Sequence, residues 1–460
     1  MNRLYTLRSR IKNHPDFIDL TETNFHRAGF RFPPGDLKRG ASAYFDNASY
    51  DPDPQGLLPA REAIAAYHNS RGHSVDAAHI VITASTSESY GTIFSALFEA
   101  DDTVLLPSPS YPLFEEVARY HGVSCAFYPM RRSPDGWSID GDMVAGMIAD
   151  LQARAVVLIS PNNPTGMVAD QKTIDALADA TCALGDDHYL VIDEVFSEFA
   201  DVPVPAPENP TCPVLYLNGA SKTFASPDLK TAWIAVQGPT VAPRGGGVGA
   251  TAVAGGGGAE PSTVAAGASV SSAADIVDRL TTVTDTYLNS SSLSQFLVPA
   301  LFGRLDWCRQ NIAAPVAARR KALKRIAAEH PELGISTPAG GIHATLSPEV
   351  VPAPRGSQRA GGLGSAGSAT STGGTRPGTA GGAGPRTIAA ASTGSTAQGG
   401  PVDDEALALA ILEHTHVFLH PGYLYGWEQD AILVMSYLGD AAKTAEALDR
   451  VGACLASLNG

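Results

Sequence analysis

Short apolar runs alternate with helical stretches over much of this chain, and that alternation constrains its fold more than any other feature. The runs lie at 79–83, 103–106, 125–128, 155–160, 189–193, 214–218 and 232–236, and are rich in Val, Ile and Leu. Strands buried on both faces have this composition, and strand–helix alternation predicts a mainly parallel α/β sheet. Helices are predicted over 59–71, where Ala60, Ala63, Ile64 and Tyr67 repeat at the spacing of one buried face, and over 87–100, 276–289, 315–330 and 404–414. The residues before the first helix read as irregular. The expected organisation is an N-terminal arm (1–45) belonging to a smaller α+β domain, a large domain (46–290), and the rest of the small domain (291–460).

Two stretches interrupt the pattern. Residues 238–274 and 351–401 are rich in Gly, Ala, Ser, Thr and Pro with almost no aromatic side chains, and account for much of the chain's 46 glycines. They cannot bury enough apolar surface to offset the entropy of ordering, so they read as flexible insertions. The glycine run from Gly245 does not lead from a strand into a helix and is no dinucleotide loop.

Composition excludes several functions. A net charge of −15 argues against a nucleic-acid partner. No apolar run is long enough for a membrane span, and the first residues lack the apolar core of a signal peptide. The five cysteines are scattered and never in a C-x-x-C pair, so they read as reduced thiols of a cytoplasmic protein, with neither a disulfide framework nor a metal site.

Chemistry concentrates in four segments at predicted strand ends: Thr83-Ala-Ser-Thr-Ser-Glu88, Ser160-Pro-Asn-Asn-Pro-Thr-Gly166, Val191-Ile-Asp-Glu-Val-Phe196 and Asn218-Gly-Ala-Ser-Lys-Thr223. Open α/β sheets assemble ligand sites at strand C-terminal ends, so the four can converge on one crevice. Taken singly each has an ordinary explanation, since Asn-Pro-Thr-Gly is a common turn, Ser and Thr are common helix caps and most lysines are surface charges.

In this order the segments resemble those of the class I/II aminotransferases, the fold-type I pyridoxal-phosphate enzymes, outside the two insertions. The resemblance implies pyridoxal 5'-phosphate held as a Schiff base on Lys222, which on release would serve as the base at the substrate's Cα. Asp193 would keep the pyridine nitrogen protonated, Tyr111 would stack on the ring and Asn163 would bond its phenolic oxygen. Ser85, Thr86 and Ser87 would meet the phosphate at a helix N-terminus, joined by Gly219, Ser221 and Lys230. Tyr50 matches the position from which a second subunit reaches the phosphate, which implies a homodimer with shared sites. The partners implied are an amino acid and a 2-oxo acid.

This chain also departs from the family pattern. Lys230 stands where an Arg is usual, keeping charge without the bidentate fork. Gly219 replaces a Ser, and Phe196 replaces a Tyr whose phenol would hold the aldimine pKa down, so a raised aldimine pKa is expected. Val434 occupies the place of the Arg that binds the substrate carboxylate. Asn24, His26 and Arg27 in the N-terminal segment are candidate replacements, with His343 as another. The reading is transamination, with a C–S β-lyase and a catalytically degenerate cofactor-binding protein as alternatives.

Overall fold

The computed structural model describes residues 3–47, 52–133, 136–185, 187–239, 272–288, 290–348, 404–427 and 431–459. Most of the two Gly-rich stretches and Tyr50 lie outside them.

The apolar runs form one seven-stranded sheet. In chain order its strands are β1 (Ile80–Thr83), β2 (Thr103–Ser108), β3 (Ser124–Pro129), β4 (Ala155–Ile159), β5 (Tyr189–Asp193), β6 (Val214–Gly219) and β7 (Ala232–Gln237). Their spatial order is β1-β7-β6-β5-β4-β2-β3, with β7 antiparallel to both neighbours and the other pairings parallel. The alternation of a strand splits each run between two cores. Leu190 and Ile192 of β5 face a cluster with Ile64 of the helix Leu58–Asn69 (α1) and Ile174 and Leu177 of Gln171–Cys182 (α3). Val191 faces the opposite cluster, with Ile93 and Leu97 of Thr86–Leu97 (α2) and Ile276 and Leu280 of Ala273–Tyr287 (α4).

A second, antiparallel sheet has the order β8-β10-β9, from β8 (His343–Leu346), β9 (His420–Pro421) and β10 (Leu433–Ser436). The start of the chain joins it. Ile18–Asp19 pairs in parallel with Val417–Phe418, and the Ser436 amide donates to Leu20 O at 2.6 Å. The stretch read as irregular in fact holds helices over Arg3–Ile11 and Pro34–Asn47. The first is short and mostly polar, and its order comes from tertiary burial of Leu4 rather than from local propensity.

The two sheets meet through backbone. Gly166 O accepts from the amides of Ala339 and Gly340 at 3.1 and 2.9 Å. Gly166 has φ +66°, and a Cβ there would stand 2.3 Å from Pro338 Cβ; one on Gly340 would stand 2.6 Å from Pro161 Cγ. Only glycine permits this approach. It fixes the Ser160–Gly166 turn against the segment that leads into His343.

The expectation of five reduced thiols is corrected at one pair. Cys182 ends α3, Cys212 lies just before β6, and the structure bonds them as a disulfide with Cα atoms 4.7 Å apart. Tertiary packing brings them together across 30 residues, which no local spacing reveals. Cys125, Cys308 and Cys454 are free.

Candidate active site

The C-terminal ends of β1, β4, β5 and β6 lie on one rim of the sheet, so the four motif segments converge as expected. Because β7 runs the other way, its N-terminal end brings Lys230 to that rim. Asp193 ends β5 and is buried at 4% exposure. Its Oδ2 accepts from Tyr90 Oη at 3.0 Å and its Oδ1 from the Val195 amide at 3.0 Å. Burial raises its pKa to about 6, against the lowering pull of those two donors.

Lys222 follows the neighbouring strand β6 in a single helical turn, Ala220–Thr223. Burial lowers its pKa to about 8. Its Nζ lies 5.7 Å from the ring centre of Phe25 and 5.6 Å from that of Phe196. His343, the first residue of β8, packs edge-on to Phe196 at 6.1 Å. Burial, then the charges of Lys222 and His420, lower the His343 pKa to about 3, so this imidazole is neutral. Val434 is 1% exposed in β10, opposite Thr345 and His420.

The remaining predicted residues fall as follows. Ser85 caps α2, its Oγ accepting from the Glu88 amide at 3.1 Å, and Thr86 and Ser87 form the first turn. Asn163 sits in the turn after β4, its Oδ1 buried with no partner among the described residues. Gly219 ends β6 in extended backbone, where an added Cβ would stand 3.1 Å from Ala232 Cβ and from Thr231 O, so packing explains the glycine. Ser221 is half-buried beside Lys222, and Lys230 is exposed with φ +50°. Tyr111 is 39% exposed and packs on Phe114 at 5.9 Å.

The N-terminal candidates have other partners. Arg27 points to solvent, 3.3 Å from Glu22, and Asn24 Oδ1 accepts from the amides of His26 and Arg27 in a local turn. His26 Nε2 donates to Ala225 O at 2.7 Å, pinning the segment to the loop after Lys222. The residue that reaches Lys222 is Phe25, which sequence reasoning did not single out.

A buried polar network behind Asp193 also escaped it. Trp233 Nε1 donates to His68 Nε2 at 2.9 Å, and His68 Nδ1 and His73 Nδ1 are 2.7 Å apart. Indole N–H can only donate, so neutral His68 carries its proton on Nδ1 and gives it to His73 Nδ1. The His73 proton is then on Nε2, 3.3 Å from Glu194 Oε1, and Arg71 lies 3.5 Å from the same oxygen. Burial pushes the Glu194 pKa up, but Arg71 and His73 prevail and hold it at about 2. These proton positions leave neither histidine a free ring lone pair, while Glu194 Oε2 is buried with no partner among the described residues.

A pH dependence of stability follows. Burial lowers His68 to about 3 and His420 to about 4, alongside His343. A depressed histidine contributes stability that is complete above the unfolded value, about 6.5, and is lost as pH falls toward the folded value. Asp193, with its raised pKa, acts with the opposite sign, one carboxyl against three imidazoles. Urea midpoints are therefore expected to be level between about pH 7 and 8, where Lys222 begins to lose its proton in the folded state, and to fall steadily from pH 6 to 4. A level profile down to pH 4 would contradict these assignments.

Residues 38–354 match the family described as aminotransferase class I and II. Among curated proteins, a probable aminotransferase, TAT1, of Arabidopsis thaliana is 33% identical over 196 residues, 42% of each chain. The S-alkyl-thiohydroximate lyase SUR1 of the same plant is 32% identical over 42% of this chain and 41% of its own. This chain thus spans less than half the length of these relatives. Among solved structures, an alanine aminotransferase from Pyrococcus furiosus superposes with a TM-score of 0.73 at 19% identity, over 99% of this chain and 96% of that one. No helix among the described residues is long and apolar enough to cross a membrane.

Proposed function

Since the chain belongs to the class I and II aminotransferase family, we propose that it moves an amino group between an amino acid and a 2-oxo acid with pyridoxal 5'-phosphate, the family's cofactor. One observation carries the reading. A buried amine depressed to about pKa 8 and a buried carboxyl raised to about 6 follow the ends of adjacent strands. Lys222 is half-buried with its Nζ near the rings of Phe25 and Phe196, and Asn163 Oδ1 is buried and unpaired among the described residues. Leaving such groups unmatched is costly, and a group with an aldehyde at one end and a basic ring nitrogen at the other fits them.

When bound, the cofactor supplies the aldehyde that takes up the amine and the ring that accepts electrons released at Cα. Lys222 would hold it covalently and then, free and about half neutral near pH 8, move the proton at Cα. Asp193 would keep a proton on the ring nitrogen, with Tyr90 and the Val195 amide fixing the carboxylate's direction. Asn163 would meet the phenolic oxygen, and Tyr111 would cover one ring face. Ser85, Thr86, Ser87, Ser221 and Lys230 would bind phosphate, while the Gly219 amide is taken by Asn218 Oδ1 at 2.7 Å, with Tyr50 reaching the phosphate from a second subunit of a homodimer. Phe196 cannot donate to the phenolic oxygen. F196Y is expected to lower the pKa at which the holo-protein's visible absorption titrates; an unchanged pKa would remove Phe196 from this role.

The proposal divides the chain into a large unit, 46–290, and a small one joining 1–45 to 291–460, with the site between them. It also sets the protein in the cytoplasm, against which the Cys182–Cys212 bridge argues. A thiol count on protein from its native source decides, with five expected in the cytoplasm and three if the bridge forms.

β-Elimination is the second reading, favoured by the similarity to the lyase SUR1. Incubating holo-protein with a panel of amino acids separates the two. Conversion of the cofactor to its amine form with release of a 2-oxo acid supports transamination, whereas ammonia release with an unchanged cofactor spectrum supports elimination. No change with any amino acid would sink both.

A further inference from the structure

Between the loop after β2, the end of β3 and residues 423–427 lies a cavity of about 780 Å³. Tyr111, Phe114, Phe127, Trp137, Tyr425 and Trp427 supply aromatic faces to its walls, which Arg132 and Glu115 also line. Trp137 and Trp427 close one side with ring centres 5.2 Å apart. Ser110 also lines the cavity; its residue is 6% exposed and its Oγ is sealed from solvent without a partner among the described residues, so it meets a ligand in the cavity by rotating about its Cα–Cβ bond.

Both ends of this cavity are tied to the candidate active site. Tyr111 is a wall of the one and a predicted member of the other. Phe114 packs edge-on at 4.7 Å against Tyr90, whose hydroxyl holds Asp193. On the far side Tyr425 Oη is 3.1 Å from His420 Nδ1, and His420 lies opposite Val434. Trp137 Nε1 donates to Thr345 Oγ1 at 3.1 Å, and Thr345 is Val434's other neighbour.

We propose that this cavity receives the substrate's side chain, and that the side chain is an aromatic ring bearing a polar atom, a phenol or an indole. The inference rests on the aminotransferase reading for the word substrate, but the binding it describes does not. Aromatic walls favour a flat ring in offset or edge contact. The volume falls within the range of pockets that enclose whole small molecules, so a methyl side chain would leave it full of water. The unpartnered hydroxyl of Ser110 selects within the aromatic class. A buried hydroxyl with no partner is costly, and a phenol oxygen or an indole N–H removes the cost where a plain phenyl ring does not.

The test uses holo-protein and a matched pair of ligands that cannot react, p-cresol and toluene, followed by Trp fluorescence and calorimetry. p-Cresol is expected to bind, S110A to weaken it by about five- to tenfold, the worth of one hydrogen bond, and toluene affinity to be unchanged by S110A. Failure of p-cresol to bind, or equal loss of both ligands in S110A, overturns the proposal. The same preparation is then given L-tyrosine, L-tryptophan and L-alanine. Conversion of the cofactor by alanine as fast as by the aromatic pair would overturn the cavity's role and leave the aminotransferase reading standing. p-Cresol binding weakened by S110A, with no amino acid converted, would keep the cavity and overturn the reaction.

Discussion

K222A is expected to abolish the borohydride-reducible adduct between protein and cofactor and to lower turnover by at least about 10²–10⁴-fold, the range for losing a positioned acid–base group. K222R should fail in the same way, since a guanidinium neither forms the bond nor gives up its proton near neutral pH. The variant also separates chemistry from architecture. Lys222 is held among Phe25 and Phe196 with a pKa depressed by burial, so its charge is a burden on the folded state. Cofactor-free K222A should unfold at the same urea concentration as the parent or a higher one. Intact mass after borohydride and a urea titration check both halves. A surviving adduct would end the assignment of residue 222.

The largest loss of stability is expected at a residue with no proposed contact to substrate. Arg71 is mostly buried, 3.5 Å from the fully buried Glu194, and also donates to Ser197 Oγ at 2.6 Å. R71M would leave that carboxylate buried with only His73 Nε2 beside it, at a cost of up to about 3–5 kcal/mol. Whole domains are stable by only about 5–15 kcal/mol, so much of the margin would go. The double variant R71M/E194M removes both charges together and should recover a large part of the loss. Urea unfolding at pH 7 reads all of these. Additive losses in the double variant would show that the two groups do not support one another.

Much of this was legible in the sequence for identifiable reasons. Strands buried on both faces leave uninterrupted apolar runs, and a run such as Tyr189–Asp193 has a definite end where a carboxyl is conspicuous. The motif residues lie at such ends, so finding the strands located Asp193, Asn163 and Lys222 together. What stayed hidden depends on pairings between distant segments. Nothing near Phe25 indicates that it will lie over Lys222. Cys182 and Cys212 share no local motif, and His68 and His73 find their partners only through β5 and β7. Glu194 did leave a trace, because a second acid directly after Asp193 at the end of a buried strand needs a cation, and Arg71 supplies it. The first helix was missed for a similar reason, since burial of Leu4 rather than residue preference orders it.

The contact of Gly166 with Ala339 and Gly340 bears on how inactive variants should be interpreted. No L-side chain fits at 166 or 340 without pushing the Ser160–Gly166 turn off its seat, and Asn163 travels with that turn. Two positions that carry no reactive atom should therefore be as unforgiving to substitution as the lysine itself. Inactivity caused there would report a misfit between two pieces of main chain, not a missing chemical group.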